Sequence, residues 1–182
     1  MRRFYVSMIV AAATLPAAGR ADTISTLFNF PKQADGNSPA APLLVLPSGA
    51  LAGTTVSGGN DGCSALEAPS GCGTVFALLP GAAQGHWTET VLHVFDPRKG
   101  DGAAPAAALI SDAFGNFYGT TSAGGGACKG KRGCGTVFEL SPPGPGHAKW
   151  TETVLHAFAG PDGKYPQAAL VRDSGGNLYG TT

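Results

Sequence analysis

Phe114-Gly-Asn-Phe-Tyr-Gly-Thr-Thr121 returns near the end of the chain as Gly175-Gly-Asn-Leu-Tyr-Gly-Thr-Thr182. Its closing triplet occurs a third time, so that Gly53-Thr54-Thr55, Gly119-Thr120-Thr121 and Gly180-Thr181-Thr182 stand 66 and 61 residues apart. Two further blocks recur in the same order. Gly71-Cys-Gly-Thr-Val-Phe76 matches Gly133-Cys-Gly-Thr-Val-Phe138, and Trp87-Thr-Glu-Thr-Val-Leu-His93 matches Trp150-Thr-Glu-Thr-Val-Leu-His156. A period this regular predicts stacked units, each relying on a neighbour to cover its apolar faces.

The second unit reads as four strands. The apolar run Ala106 to Asp112, the turn signal Gly115-Asn116 and Phe117 to Thr121 predict a β-hairpin. Thr136 to Leu140 is a third strand, and Trp150 to Phe158, rich in Thr, Val, His and Phe, a fourth. The Pro- and Gly-rich stretch Ser141 to His147 cannot be helical. Within Thr90 to Phe95 the apolar positions do not alternate cleanly, as expected of a strand covered on both faces. The expected fold is therefore all-β, with four-stranded, propeller-like units of about 61–66 residues and an incomplete ring. By this reading 26–30 is the last strand of one unit, 43–95 and 108–158 are units, and 170–182 is the first hairpin of another. The stop in mid-unit suggests a fragment of a longer chain, and an open hairpin edge invites self-association.

Residues 1–21 stand outside the repeat. Arg2 and Arg3, the short apolar stretch Tyr5 to Ala13 and small residues up to Ala21 predict a secretory signal peptide, leaving 22–182 as a single repeat domain. The apolar stretch is far shorter than the roughly 20 residues of a membrane-spanning helix, so no transmembrane segment is expected. Without its signal the chain has nine Lys/Arg against twelve Asp/Glu, a formal charge of −3. With no basic tract, nucleic acid is not an expected partner.

Export also suits the cysteines. The repeat favours Cys63 with Cys72 and Cys128 with Cys134, because each pair then closes a loop within its own unit. Neither spacing has the short Cys-x2-4-Cys pattern of zinc sites. Loops of this size gain about 2–3 kcal/mol from cross-linking on chain entropy.

Three equivalent Gly-Thr-Thr copies favour a structural role over a catalytic threonine, which needs one special copy beside a base. Tyr118 and Tyr179 read as packed aromatics beside Trp87 or Trp150. His93 and His156 are equivalent, but neighbouring units separate them, and no acid lies at ligand spacing beside them along the chain. No metal, cofactor or catalytic residue is therefore assigned. Asp35-Gly-Asn-Ser-Pro39, Asp101-Gly-Ala-Ala-Pro105 and Asp162-Gly-Lys-Tyr-Pro166 read as turns, and Lys129 to Arg132 as a solvated basic loop. Glu89 and Glu152, the only repeated glutamates within strands, read as solvent-facing.

The blocks Gly-Asn-Leu-Tyr-Gly-Thr-Thr, Gly-Cys-Gly-Thr-Val-Phe and Thr-Val-Leu-His-x-Phe…Asp-Gly…Pro resemble a bacterial tandem-repeat family first noticed in Gloeobacter and Verrucomicrobia, over about residues 26–182. The first unit departs most, with Ala50-Leu51-Ala52 where the others have an aromatic and Tyr. The resemblance implies an exported, propeller-like repeat, often variably anchored at the cell surface, and supplies no catalytic residues. The expected function is a secreted, periplasmic or cell-surface structural or interaction module, with a protein or glycan as partner. The alternative is a polysaccharide-active enzyme, or an accessory carbohydrate-binding part of one. A lone buried carboxylate with a shifted pKa would favour the enzyme; equivalent residues in every unit would favour the module.

Overall fold

The computed structural model describes residues 7–8, 25–30, 33–59, 63, 71–83, 85–126, 128 and 132–182. The expected signal peptide, apart from Ser7 and Met8, and the basic loop, apart from Arg132, lie outside these residues. A two-residue ladder pairs β1 (Ser7–Met8) with β2 (Ser25–Thr26).

The first unit is an antiparallel sheet. It contains β3 (Asn37–Pro39), β4 (Leu44–Val45), β5 (Leu51–Ser57), β6 (Thr74–Pro80) and β7 (Trp87–Val94). The sheet order is β3-β5-β6-β7, with β4 also paired to β5. In the linker, β8 (Gly102–Ala103) pairs with β11 (Ala123–Gly124). The second sheet runs β13-β12-β10-β9, from β9 (Ile110–Ser111), β10 (Phe117–Thr121), β12 (Thr136–Ser141) and β13 (Thr151–Ala157). A last hairpin joins β14 (Val171–Arg172) to β15 (Leu178–Tyr179). The chain is thus almost entirely β, in repeated units of about four strands, as the recurring blocks predict. Among the described residues no helix is long and apolar enough to cross a membrane.

Gly-Thr-Thr is explained by packing. Gly53 lies opposite Phe76 and Gly119 opposite Phe138 in the ladders. A methyl at Gly119 would sit 2.7 Å from Phe138 Cζ and 3.0 Å from Leu109 Cδ2, so the glycine makes room for a ring across the strand. In the first two triplets the last threonine turns inward. Thr121 Oγ1 accepts from Thr136 N–H at 3.0 Å, bonds Thr136 Oγ1 at 2.8 Å and reaches Ala123 O at 3.0 Å. Thr55 repeats the pattern with Thr74 and Ser57. The middle threonine links units: Thr54 donates to Ala107 O and Thr120 to Ala168 O.

The broken alternation in β7 has a local cause and not burial on both faces, since its side chains are half-buried or exposed. Val75 faces His93 while Phe76 faces Val91, so Leu92 is an extra residue in a β-bulge. Leu155 is the equivalent insertion in β13, between Val154 and His156. A bulge shifts every later side chain to the other face, which period-two reading cannot follow.

The units stack through aromatic residues. Phe95, at the end of the first unit, meets Phe138 of the second edge to face at 5.2 Å. Phe30 meets Phe76 in the same way at 5.0 Å, one unit earlier. The main core runs across both sheets, from Ala52 and Val75 to Leu109, Phe117, Phe138 and Leu140. Disulfides join Cys63 to Cys72 and Cys128 to Cys134. Each second cysteine also carries a linker: Ala104 N–H donates to Cys72 O and Tyr165 N–H to Cys134 O, both at 2.8 Å. Ala104 and Tyr165, like Ser38, stand directly before a proline (Pro105, Pro166 and Pro39) at φ of 54°, 57° and 58°. Non-glycine residues in that region cost about 1–3 kcal/mol, so the conformation is imposed by the surrounding structure.

Candidate functional site

The turn of the β9–β10 hairpin is built by one carboxylate. Asp112 Oδ1 accepts from the Phe114 and Asn116 amides, and Oδ2 from Asn116 Nδ2 and the Tyr118 hydroxyl at 3.0 Å. Burial alone would raise the Asp112 pKa, but these hydrogen bonds outweigh it and hold the carboxyl below its usual range. Asp173 has the same set from Asn177 and Tyr179, with its pKa lowered to about 2 by the Asn177 side chain first. The repeated tyrosines therefore tie off turns through their hydroxyls. It is Phe117, not Tyr118, that stacks on Trp150, at 5.1 Å and 18°. Trp87 packs beside the smaller core of Leu51, Phe76 and Leu78.

The Asp112 turn displays Phe114, which is 82% exposed. Leu46, Leu92 and Leu79, the last 46% exposed, line the same cleft from the first unit, and Trp150 lines it from the second. The result is an apolar cleft of about 630 Å³ between the units. Its volume lies within the roughly 300–1,000 Å³ range of known ligand pockets. The sequence reading did not single out Phe114; a large apolar residue at a turn tip, between Ala113 and Gly115 and within the Asp112–Asn116 turn, was the available signal.

The seam between units carries a second constellation. His93 Nε2 lies 2.8 Å from Asp101 Oδ2, and a carboxylate oxygen of Glu152, from the second unit, completes a group whose atoms lie within 4.8 Å of one another. Asp101 is buried and fixed: Oδ2 also accepts from Asp96 N–H and Oδ1 from Gly102 N–H. His156 and Asp162 repeat the histidine–aspartate contact at 2.8 Å. At the preceding seam Phe28 takes the place of the histidine, with Asp35 near Glu89. Each repeated histidine thus has an acid partner, supplied by the Asp-Gly turn that follows it. The recurrence of that turn after each histidine was the missed signal.

Glu89 and Glu152 are not solvent-facing. Both are half-buried, and Oε1 of each is buried without a hydrogen-bond partner. Burial first, then Asp35, raises Glu89 to about pKa 7. Burial first, then the charge and hydrogen bonding of Asp101, raises Glu152 to about 8. The folded chain therefore holds these protons more tightly than the unfolded chain, whose carboxyls titrate near 4.5. Their contribution to stability is full below pH 4.5 and is lost as pH rises through 7 to 8. In metal-free buffer, Glu89→Gln/Glu152→Gln should flatten the fall in Tm between pH 5 and pH 8.5. An unchanged pH profile would show that neither glutamate is proton-linked to folding.

The shared shift of two equivalent glutamates is a property of the stacked seam, repeated with the unit. It is not the signature of one acid/base pair. A search of the curated proteins gives no match. The Gloeobacter/Verrucomicrobia repeat matches residues 14–182, covering both sheets, both seams and the last hairpin. With the same three blocks building each unit and each seam, the chain belongs to the Gloeobacter/Verrucomicrobia repeat family.

Proposed function

We propose that this chain is a non-catalytic interaction module, exported after loss of residues 1–21, whose units stack in the manner of propeller blades. The partner is a protein or glycan at the bacterial cell surface, held in the cleft between units. The observation that carries this reading is the apolar cleft itself, lined by the exposed Phe114 and Leu79 together with Trp150. Exposed aromatic side chains anchored on a rigid turn supply large contact area at little entropic cost. The Asp112 hydrogen bonds provide that rigidity.

Trp150 makes the test direct, since its fluorescence reports on the cleft. Titration with purified envelope polysaccharides and, separately, with envelope proteins should change the emission for one class. Phe114→Ser should remove the response while leaving Tm unchanged. Binding that survives Phe114→Ser would remove the cleft from consideration. Cleavage of a polysaccharide during the titration would favour the enzymatic alternative instead.

A further inference from the structure

We infer that His93, Asp101 and Glu152 form a binding site for a divalent transition cation of the zinc type, clamping the first unit to the second. Three separate elements converge there: the end of β7, the Asp-Gly turn after it, and β13 of the next unit. The donors are one imidazole nitrogen and two carboxylate oxygens, a nitrogen–oxygen set suited to zinc; calcium and magnesium prefer oxygen alone. Donors about 2.0–2.2 Å from one tetrahedral ion stand roughly 3.4 Å apart, so from mutual distances within 4.8 Å Glu152 must close in and the His93–Asp101 pair, now at 2.8 Å, must open. The fourth position would be left to water.

A second observation points the same way. Glu152 Oε1 is buried with no hydrogen-bond partner, in a seam where a second carboxylate is already packed. Neighbouring cations are committed elsewhere: Arg98 Nε binds Asp96 at 2.7 Å and Lys99 Nζ lies 3.7 Å from the same carboxylate. A bound cation satisfies the stranded oxygen and neutralises the facing acids. Metal ligands bind in their deprotonated forms, so loading the site releases protons to solvent. His93 stays partly exposed, which leaves a route for exchange.

The repeat supplies its own controls. Phe28 fills the histidine position at the preceding seam, so His93→Phe copies a residue this fold already accommodates there. His156 has Asp162 beside it but is not grouped with a third ligand among the described residues.

Zinc chloride should be titrated calorimetrically into metal-free protein at pH 7.5, in two buffers of different ionisation enthalpy, with Co²⁺ absorption as a spectroscopic probe. The expected result is one ion per chain, with net proton release and a higher Tm. His93→Phe and Glu152→Gln should each weaken binding by about tenfold or more, since losing even an outer-shell partner has effects of that order. His156→Phe should leave binding unchanged. Near-UV circular dichroism in EDTA checks that each variant is folded, and Glu152→Gln keeps the test open if His93→Phe is not. Absence of binding, binding that survives both seam substitutions, or an equal loss in His156→Phe would overturn the assignment. The outcome is independent of what the apolar cleft binds.

Discussion

Phe138→Ala is expected to cost about 3–5 kcal/mol, the range for removing a fully buried phenylalanine ring. Phe138 is fully buried, lies across Gly119 and makes the edge-to-face contact with Phe95 that joins the units. Its loss therefore empties the core of the second unit and also loosens the seam. Chemical denaturation followed by Trp fluorescence should show a large drop in midpoint and, because units in a stack stabilise one another, a less cooperative transition. A companion substitution tests the packing account of the glycine. Gly119→Ala should be strongly destabilising alone and much milder in the Phe138→Ala background, since the ring that the methyl would strike is gone. A loss below about 1 kcal/mol for Phe138→Ala would show that the two sheets do not share a core.

Thr121→Val is the second large effect, on the order of 2–4 kcal/mol, although it preserves shape. The hydroxyl is fully buried and serves Thr136 N–H, Thr136 Oγ1 and Ala123 O together. Valine leaves these partners without a bond in a site water does not reach, and each stranded buried group costs about 1–3 kcal/mol. Thr120→Val is the matched control. Its hydroxyl makes one long contact, 3.4 Å to Ala168 O, so the loss should stay below about 1 kcal/mol. Equal stabilities for the two variants would mean that the triplet is kept for strand propensity alone.

Both expectations lead back to how a repeated unit serves function. The stack is held by groups that recur, among them Phe95 on Phe138, Thr54 on Ala107 and the linker amides on Cys72 and Cys134. What differs between seams is a small set of side chains. Phe28 stands where the next seam has His93, and Gly175 stands where the preceding turn has Phe114. A module of this kind keeps its scaffold constant and places chemistry at single variable positions, as loops on rigid sheets commonly do.

The sequence alone determined the unit and its period, the hairpin from Ile110 to Thr121, the strands that follow and the pairing of cysteines within units. These depend on neighbours near in the chain: strand residues, turn residues and a loop short enough to close. The tertiary structure alone decided the seam. Asp101 reaches His93 across a turn that recurs along the chain, but Glu152 arrives from another sheet, so completing the group depends on the stacking offset, which no local pattern encodes. The bulges at Leu92 and Leu155 set which side chains face that seam, and a one-residue insertion is silent in a period-two reading. Burial of Glu89 and Glu152 followed from the same offset, because a strand face that looks polar in one unit is closed by the acid-bearing turn of its neighbour.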